Sequence, residues 1–223
     1  EFARRDGFIA NAAHQLRNPV AAIQAQAEAA LAAPDPADRA ARLADLTAAA
    51  TRLSRIIRQL LRHDAATQTG ARTAGLVDLT AVAAEVARRH APHALETGVE
   101  LGLEAPPGPL TVRADPVLLA EAVENLLDNA LGYGARPGGQ VLVTVAAADG
   151  LARLAVVDDG PGIPEAAREV VFERFVRLAE DDGRGCGLGL AIARTIARAF
   201  GGELRLAPGG AGCRMELTLP LAG

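Results

Sequence analysis

Two helical stretches parted by a pair of prolines constrain this chain more than any other feature. Apolar residues fall at Leu16, Val20, Ile23, Ala27 and Ala30, and again at Leu46, Ala50, Leu53, Ile57 and Leu60, in steps of four and three. That spacing lays a narrow apolar stripe along one side of a helix. Between the stretches, Pro34 and Pro36 in APDPADR stop the first helix, and Asp35 or Asp38 can cap the second. An antiparallel helical hairpin follows. A lone hairpin cannot bury both stripes, so pairing with a second copy into a four-helix bundle is expected, giving a homodimer. Packing against the rest of its own chain is the alternative.

Inside the first stretch, FIANAAHQLRNPV sets Asn18-Pro19 one turn after His14. Proline there removes a donor and clashes with the preceding turn, costing about 3 kcal/mol in an unsupported helix. On a helical wheel His14 points about 160° from the stripe, toward water, with Asn18 beside it. An exposed histidine alone is ordinary surface. Pro19, however, leaves the Gln15 carbonyl without its partner and bends the helix where the imidazole is presented.

Composition narrows the classes. Hydrophobic residues make up 50% of the 223, with five Phe, one Tyr and no Trp, which suits alanine-rich helices and an aliphatic core. The net charge of −4 is spread along the chain, without the basic stripe of a nucleic-acid or membrane-surface binder. Cys186 and Cys213 lack CxxC spacing and read as reduced thiols of a cytosolic protein. No apolar run reaches the roughly 18 residues of a membrane span. A soluble piece is expected, and the abrupt helical start suggests a fragment of something longer.

Helical periodicity is lost in TQTGARTAG, a linker. The expected division is a hairpin over 1–66, a linker over 67–75 and a second domain over 76–223. In that domain VDLTAVAAEVARRHA reads as a short strand entering a helix, with Asp78 or Thr80 near its start. VELGLEA and LTVRA read as strands, and DPVLLAEAVENLLDNALGY as an apolar helix capped by Asp115 with Pro116 in its first turn. QVLVTVAAADGLARLAVVDDG is a hairpin turning at Asp149-Gly150. A helix through AIARTIARAFGG and strands ELRLA and CRMELTLP complete it. The fold class is α+β: the hairpin, then an α/β sandwich with a mixed sheet and helices on one face.

Three features of this domain carry chemistry. DDGPGIP sets Asp158 at a strand's end before Gly160 and Gly162. A carboxylate there can accept a hydrogen bond from an exocyclic amine while a flat ring lies over bare backbone. GRGCGLGLAIART opens a helix with Gly185, Gly187 and Gly189, exposing N–H groups to phosphate. Taken alone, either glycine group is more often a turn than a nucleotide site. Asn125 and Asn129 lie four apart on one helix face, where amide oxygens suit Mg²⁺ held against a triphosphate; a core amide pair is the plainer alternative. Together the three point to an ATP·Mg²⁺ site.

These motifs, in this order, resemble the cytoplasmic core of bacterial two-component sensor histidine kinases. FIANAAHQLRNPV is similar to the phosphoacceptor box, ENLLDNALGY to the N box and VVDDGPGIP to the first glycine box. VFERFVR is similar to the F box, GRGCGLGLAIA to the second glycine box, and GGAGCRMELTLP to the domain's close. The resemblance implies a protein-histidine kinase in which His14 is the phosphoacceptor, flanked by Gln15 and Asn18. It implies that Asn129 coordinates Mg²⁺ with Asn125 nearby, and that Asp158 binds the adenine amino group. Tyr133, Gly160, Gly162, Gly185, Gly187, Gly189 and Leu190 would shape the nucleotide pocket and its phosphate-side lid, with Arg174 or Arg177 neutralising phosphate. Phe172 and Phe175 would pack the lid's base.

The implied partners are a second copy of the chain and the receiver domain of a response regulator, whose phosphoaspartate the same surface could hydrolyse with Asn18 orienting a water. The family places a sensory domain upstream across the inner membrane, so a cytoplasmic fragment of a membrane-bound protein is expected, itself making no membrane contact. Two departures stand out. Gln15 occupies a position where many members carry an acid, and an amide is no general base. Gly132 stands where a basic residue commonly precedes the N-box aromatic. They leave a degenerate dimeric scaffold open as an alternative; a second is an ATP-driven clamp-type ATPase, which shares the ATP-binding fold but lacks such a hairpin.

Overall fold

The computed structural model describes residues 20–21, 23–33, 35–47, 49–50, 74–174, 176–178, 187–208 and 212–222. His14, Gln15, Asn18, Pro19, Phe175, Gly185 and Cys186 lie outside the described residues, as do Leu16, Leu53, Ile57 and Leu60 of the apolar stripes. The chain divides into two compact units, 1–62 and 63–223.

In the first unit, residues 23–32 form helix α1 and residues 36–47 helix α2. Asp35, not Asp38, caps α2: its Oδ1 accepts from the N–H groups of Ala37 at 2.8 Å and Asp38 at 2.9 Å. Asp38 instead faces Arg42 one turn on, at 3.3 Å. Pro36 sits at the first helical position, where its missing N–H costs nothing. Ala30, Ala33 and Ala49 are buried and Ile23, Ala27, Leu46 and Ala50 half-buried, whereas Val20 of the first stripe is exposed.

The second unit begins with strand β1 (Gly75–Asp78) and helix α3 (Leu79–Glu96), then strands β2 (Glu100–Glu104) and β3 (Thr111–Ala114) and helix α4 (Pro116–Asn129). Strands β4 (Gln140–Ala148) and β5 (Leu151–Asp158), helix α5 (Gly189–Ala199) and strands β6 (Glu203–Leu206) and β7 (Cys213–Pro220) complete it. The main sheet has five strands in the order β2-β4-β5-β7-β6, with β2 parallel to β4 and the other pairs antiparallel. It is a mixed sheet. β1 and β3 pair apart from it as a two-stranded sheet, a separation that the sequence pattern does not convey.

Local chemistry sets the boundaries. Asp78 caps α3 through Thr80 N–H at 2.9 Å and also accepts from Leu110 N–H at 3.1 Å, so it binds the entry of β3 as well. Asp115 caps α4 through Val117 and Leu118, ahead of Pro116. Asp149 and Gly150, with φ of 55° and 76°, make the two-residue turn between β4 and β5 that the strands' twist favours. Helix α3 runs past the expected stop at Ala91: Pro92 lies inside it, and its missing N–H frees only the Arg88 carbonyl.

Alternation along the strands builds the core. Val141, Val143 and Val145 of β4, Ala152, Leu154 and Val156 of β5, and Met215, Leu217 and Leu219 of β7 are all buried. Against them pack the helices, on one face of the sheet, with α4 between α3 and α5. Leu119, Leu126 and Leu127 of α4 and Ile192 and Ile196 of α5 are buried to 1% exposure or less. Leu127→Ala should therefore cost about 2–5 kcal/mol, read as a lower urea midpoint; an unchanged midpoint would contradict this packing.

Candidate functional site

The helix expected to run through Tyr133 changes character at Asn129. Residues Ala130–Gly134 form a π turn, in which Ala135 N–H reaches the Ala130 carbonyl at 2.9 Å. Such widened turns concentrate at functional sites, because they re-aim the backbone without breaking the helix. Here the turn delivers Gly134 to the end of β5. A Cβ on Gly134 would fall within 2.7 Å of both carboxylate oxygens of Asp158, and one on Gly160 would strike the Gly134 backbone. Only bare backbone fits at either position.

Asp158 is 4% exposed, and its Oδ1 accepts the Gly160 N–H at 3.0 Å. Burial pushes its carboxyl above the ordinary range, and backbone N–H groups of Gly160 and Cys213 offset only part of that. Among the described residues no cation pairs with it. A desolvated carboxylate held by backbone N–H groups, with no counter-charge among the described residues, suits a neutral donor such as an amine as its partner. Gly162, at φ 71°, continues the chain under Gly212, which itself lies against the Asp158 carbonyl. Neighbouring Asp159 is structural: it accepts the Gln140 N–H at 3.1 Å and fixes the start of β4.

At the other end of the same element, Asn125 is buried, and its Oδ1 lies 3.2 Å from where a Cβ on Gly189 would stand. The first residue of α5 therefore closes on the first asparagine of α4. Among the described residues no side chain caps α5, whose N-cap position is Leu188. Gly187 precedes it at φ 68°, and Leu190 lies half-buried in its first turn. Asn129 is half-buried in the last turn of α4, between the Gly189 contact and the Asp158 contact along the chain. One continuous element thus touches both glycine motifs.

Tyr133 projects from the π turn at 41% exposure. Arg174 and Arg177 are exposed on the chain that follows the short turn Val170–Phe172. Nothing in the sequence pattern marks out Gly134 or Gly212. Their signals, the GYG after the N-box asparagines and the GGAGC before β7, are glycines whose need arises only from what stands opposite. Among the described residues no group of three or more His, Cys, Asp or Glu could hold a metal. A divalent ion here would rest on an amide oxygen and on the oxygens of a ligand.

Cys213 pairs with Asp158 in the β5–β7 register and is buried. Burial, and then the Asp158 charge, push its thiol up to about 12. It is an inert thiol. In a Cys186→Ser background, a thiol reagent at mildly alkaline pH should modify Cys213 only when the protein unfolds; rapid modification of the folded chain would contradict this burial.

Two family models match the chain. Residues 4–63 match the His Kinase A (phospho-acceptor) domain, and residues 114–223 the Histidine kinase-, DNA gyrase B-, and HSP90-like ATPase. The sensor-like histidine kinase SenX3 of Mycolicibacterium smegmatis is 35% identical over 227 residues, covering 99% of this chain and 58% of SenX3. The signal transduction histidine-protein kinase/phosphatase MprB of Mycobacterium sp. (strain KMS) is 35% identical over 221 residues, 93% of this chain and 41% of MprB. A solved structure of the mycobacterial sensor histidine kinase MprB superposes with a TM-score of 0.59 at 35% identity, covering 66% of this chain and 97% of that one. The chain spans about half the length of the curated relatives it matches.

Proposed function

The chain belongs to the two-component sensor histidine kinases, and from that premise we propose that it is a kinase core that transfers the terminal phosphoryl group of ATP to His14. The observation that carries the nucleotide half of this reading is the buried Asp158, paired with no cation among the described residues, beneath a backbone-only cradle of Gly134 and Gly160. In this reading the Asp158 carboxylate accepts the adenine amino hydrogen, which fixes the base. Gly162, Gly185, Gly187 and Gly189 leave room for the sugar and phosphates, with Leu190 and Tyr133 lining the approach. The uncapped opening of α5 donates N–H groups toward phosphate oxygens, and Arg174 or Arg177 adds positive charge.

Asn129 offers Mg²⁺ an amide oxygen, and Asn125, wedged against Gly189, holds that helix face in place. Bound Mg²⁺ supplies charge neutralisation across the phosphates, which together with positioning is most of the catalysis in phosphoryl transfer. The chain's own contribution at the acceptor is His14. Gln15 can orient the imidazole but cannot take its proton, which leaves to water.

The phosphoryl group then passes to an aspartate of a response-regulator receiver domain. A regulator phosphatase activity, with Asn18 orienting water, is supported by the kinase/phosphatase name of the relative MprB. Family membership supports assembly as a homodimer through the hairpin over 1–66, joined by a linker over 67–75 to the catalytic domain over 76–223. Among the described residues no helix is long and apolar enough to cross a membrane. Family membership supports a cytoplasmic core belonging to a longer, membrane-anchored protein. Incubation with γ-labelled ATP and Mg²⁺ tests the proposal. Label stable to alkali and labile to acid is the expected result. Alkali-labile label, or ATP hydrolysis without label, would overturn it in favour of another acceptor or a clamp-type ATPase.

A further inference from the structure

We propose that Arg194 is a positioning residue of this nucleotide site, resting on the assignment of that site to ATP, and that it serves the phosphate side and not the base. Arg194 lies in the second turn of α5, the helix that opens with Gly189 and Leu190. Its guanidinium meets three residues on two elements, Glu203 of β6 and Glu169 and Phe172 at the two ends of one short turn. Nε donates to Glu203 Oε1 of β6 at 2.9 Å, the carbon Cζ stands 4.6 Å over the centre of the Phe172 ring, and Nη1 is 3.9 Å from Glu169 Oε2. A planar guanidinium can hydrogen-bond in its plane and stack through its face together; an ammonium cannot do both.

The contacts differ in weight. Glu169 is 88% exposed, so its ion pair contributes little. Glu203 is held more firmly: burial acts to raise its carboxyl, yet hydrogen bonds from Arg194 and Arg198 outweigh that and leave it lowered. Phe172 is 8% exposed, so the ring is a fixed point from which the chain bearing Arg174 departs. Arg194 therefore clamps that departure point to α5 and sets its offset from the helix opening. The base cradle is built separately: Asp158 is held by Gly160 and closed over by Gly134, whereas the clamp rests on Glu203 and Phe172.

Equilibrium titration of the full chain with magnesium-ATP and with adenosine separates this role from a structural staple. Arg194→Gln should weaken magnesium-ATP about tenfold while adenosine binds within about twofold of wild type. Arg194→Lys, which keeps the charge but loses the planar fork, should fall between. Should Arg194→Gln not fold, Phe172→Leu carries the test, since it removes the stacked face and keeps the core apolar; the same phosphate-selective loss is expected. Equal weakening of both ligands, or no weakening of ATP, would overturn the inference. Wild-type chain that binds neither ligand would instead sink the nucleotide site itself.

Discussion

His14→Gln is expected to abolish phosphorylation while nucleotide binding stays at the wild-type level. Only the acceptor changes. Glutamine is near histidine in size but has no nucleophilic nitrogen, so no covalent phosphoramidate can form. Removal of the nucleophile should reduce label by at least about a thousandfold, to the background of the assay. The substitution lies in 1–62, a unit apart from the one that carries Asp158 and α5, so magnesium-ATP titration should not change. Residual label at the wild-type level would mean that another side chain accepts the group.

Asp158→Asn is expected to weaken ATP about 10- to 100-fold, the range for losing a charge-assisted hydrogen bond and presenting an amide N–H₂ to the adenine amine. The fold should survive, and the pH dependence gives the sign. Burial holds the Asp158 carboxyl above its unfolded value, so the folded state binds its proton more tightly than the unfolded chain does. Wild-type stability from this group is fully present below the unfolded value and is lost as pH rises through the folded one. At neutral pH the variant should therefore melt no lower than wild type, and any advantage should shrink as pH falls into the carboxylate range. Urea midpoints across that range check this. A variant that both binds poorly and melts lower at neutral pH would mark Asp158 as structural.

Much of the catalytic domain was legible because its signals are local. Asp115-Pro116 announces a helix, Asp149-Gly150 a hairpin turn, and an apolar strand ending in DDGPGIP a carboxylate at a sheet's rim. Asn125 and Asn129 share a helix face by spacing alone. Other features depend on what lies across space. ALGYG continues an apolar helical pattern, and nothing in it shows that the backbone must widen to bring Gly134 against Asp158. Gly212 is one glycine in a glycine-rich loop until the Asp158 carbonyl appears opposite it. β1 and β3 read as ordinary strands, and their separation from the main sheet is set by pairing and not by composition. Arg194 looks like a solvated helix residue until Phe172 and Glu203 close around it.

Calorimetric titration of the wild-type chain with ATP in the presence of magnesium tests the central claim most directly. A saturable heat with one nucleotide per chain is the predicted outcome. A flat titration up to about 10 mM nucleotide, above the roughly micromolar-to-millimolar range usual for such sites, would contradict the assignment of Asp158 and its glycine cradle to adenine.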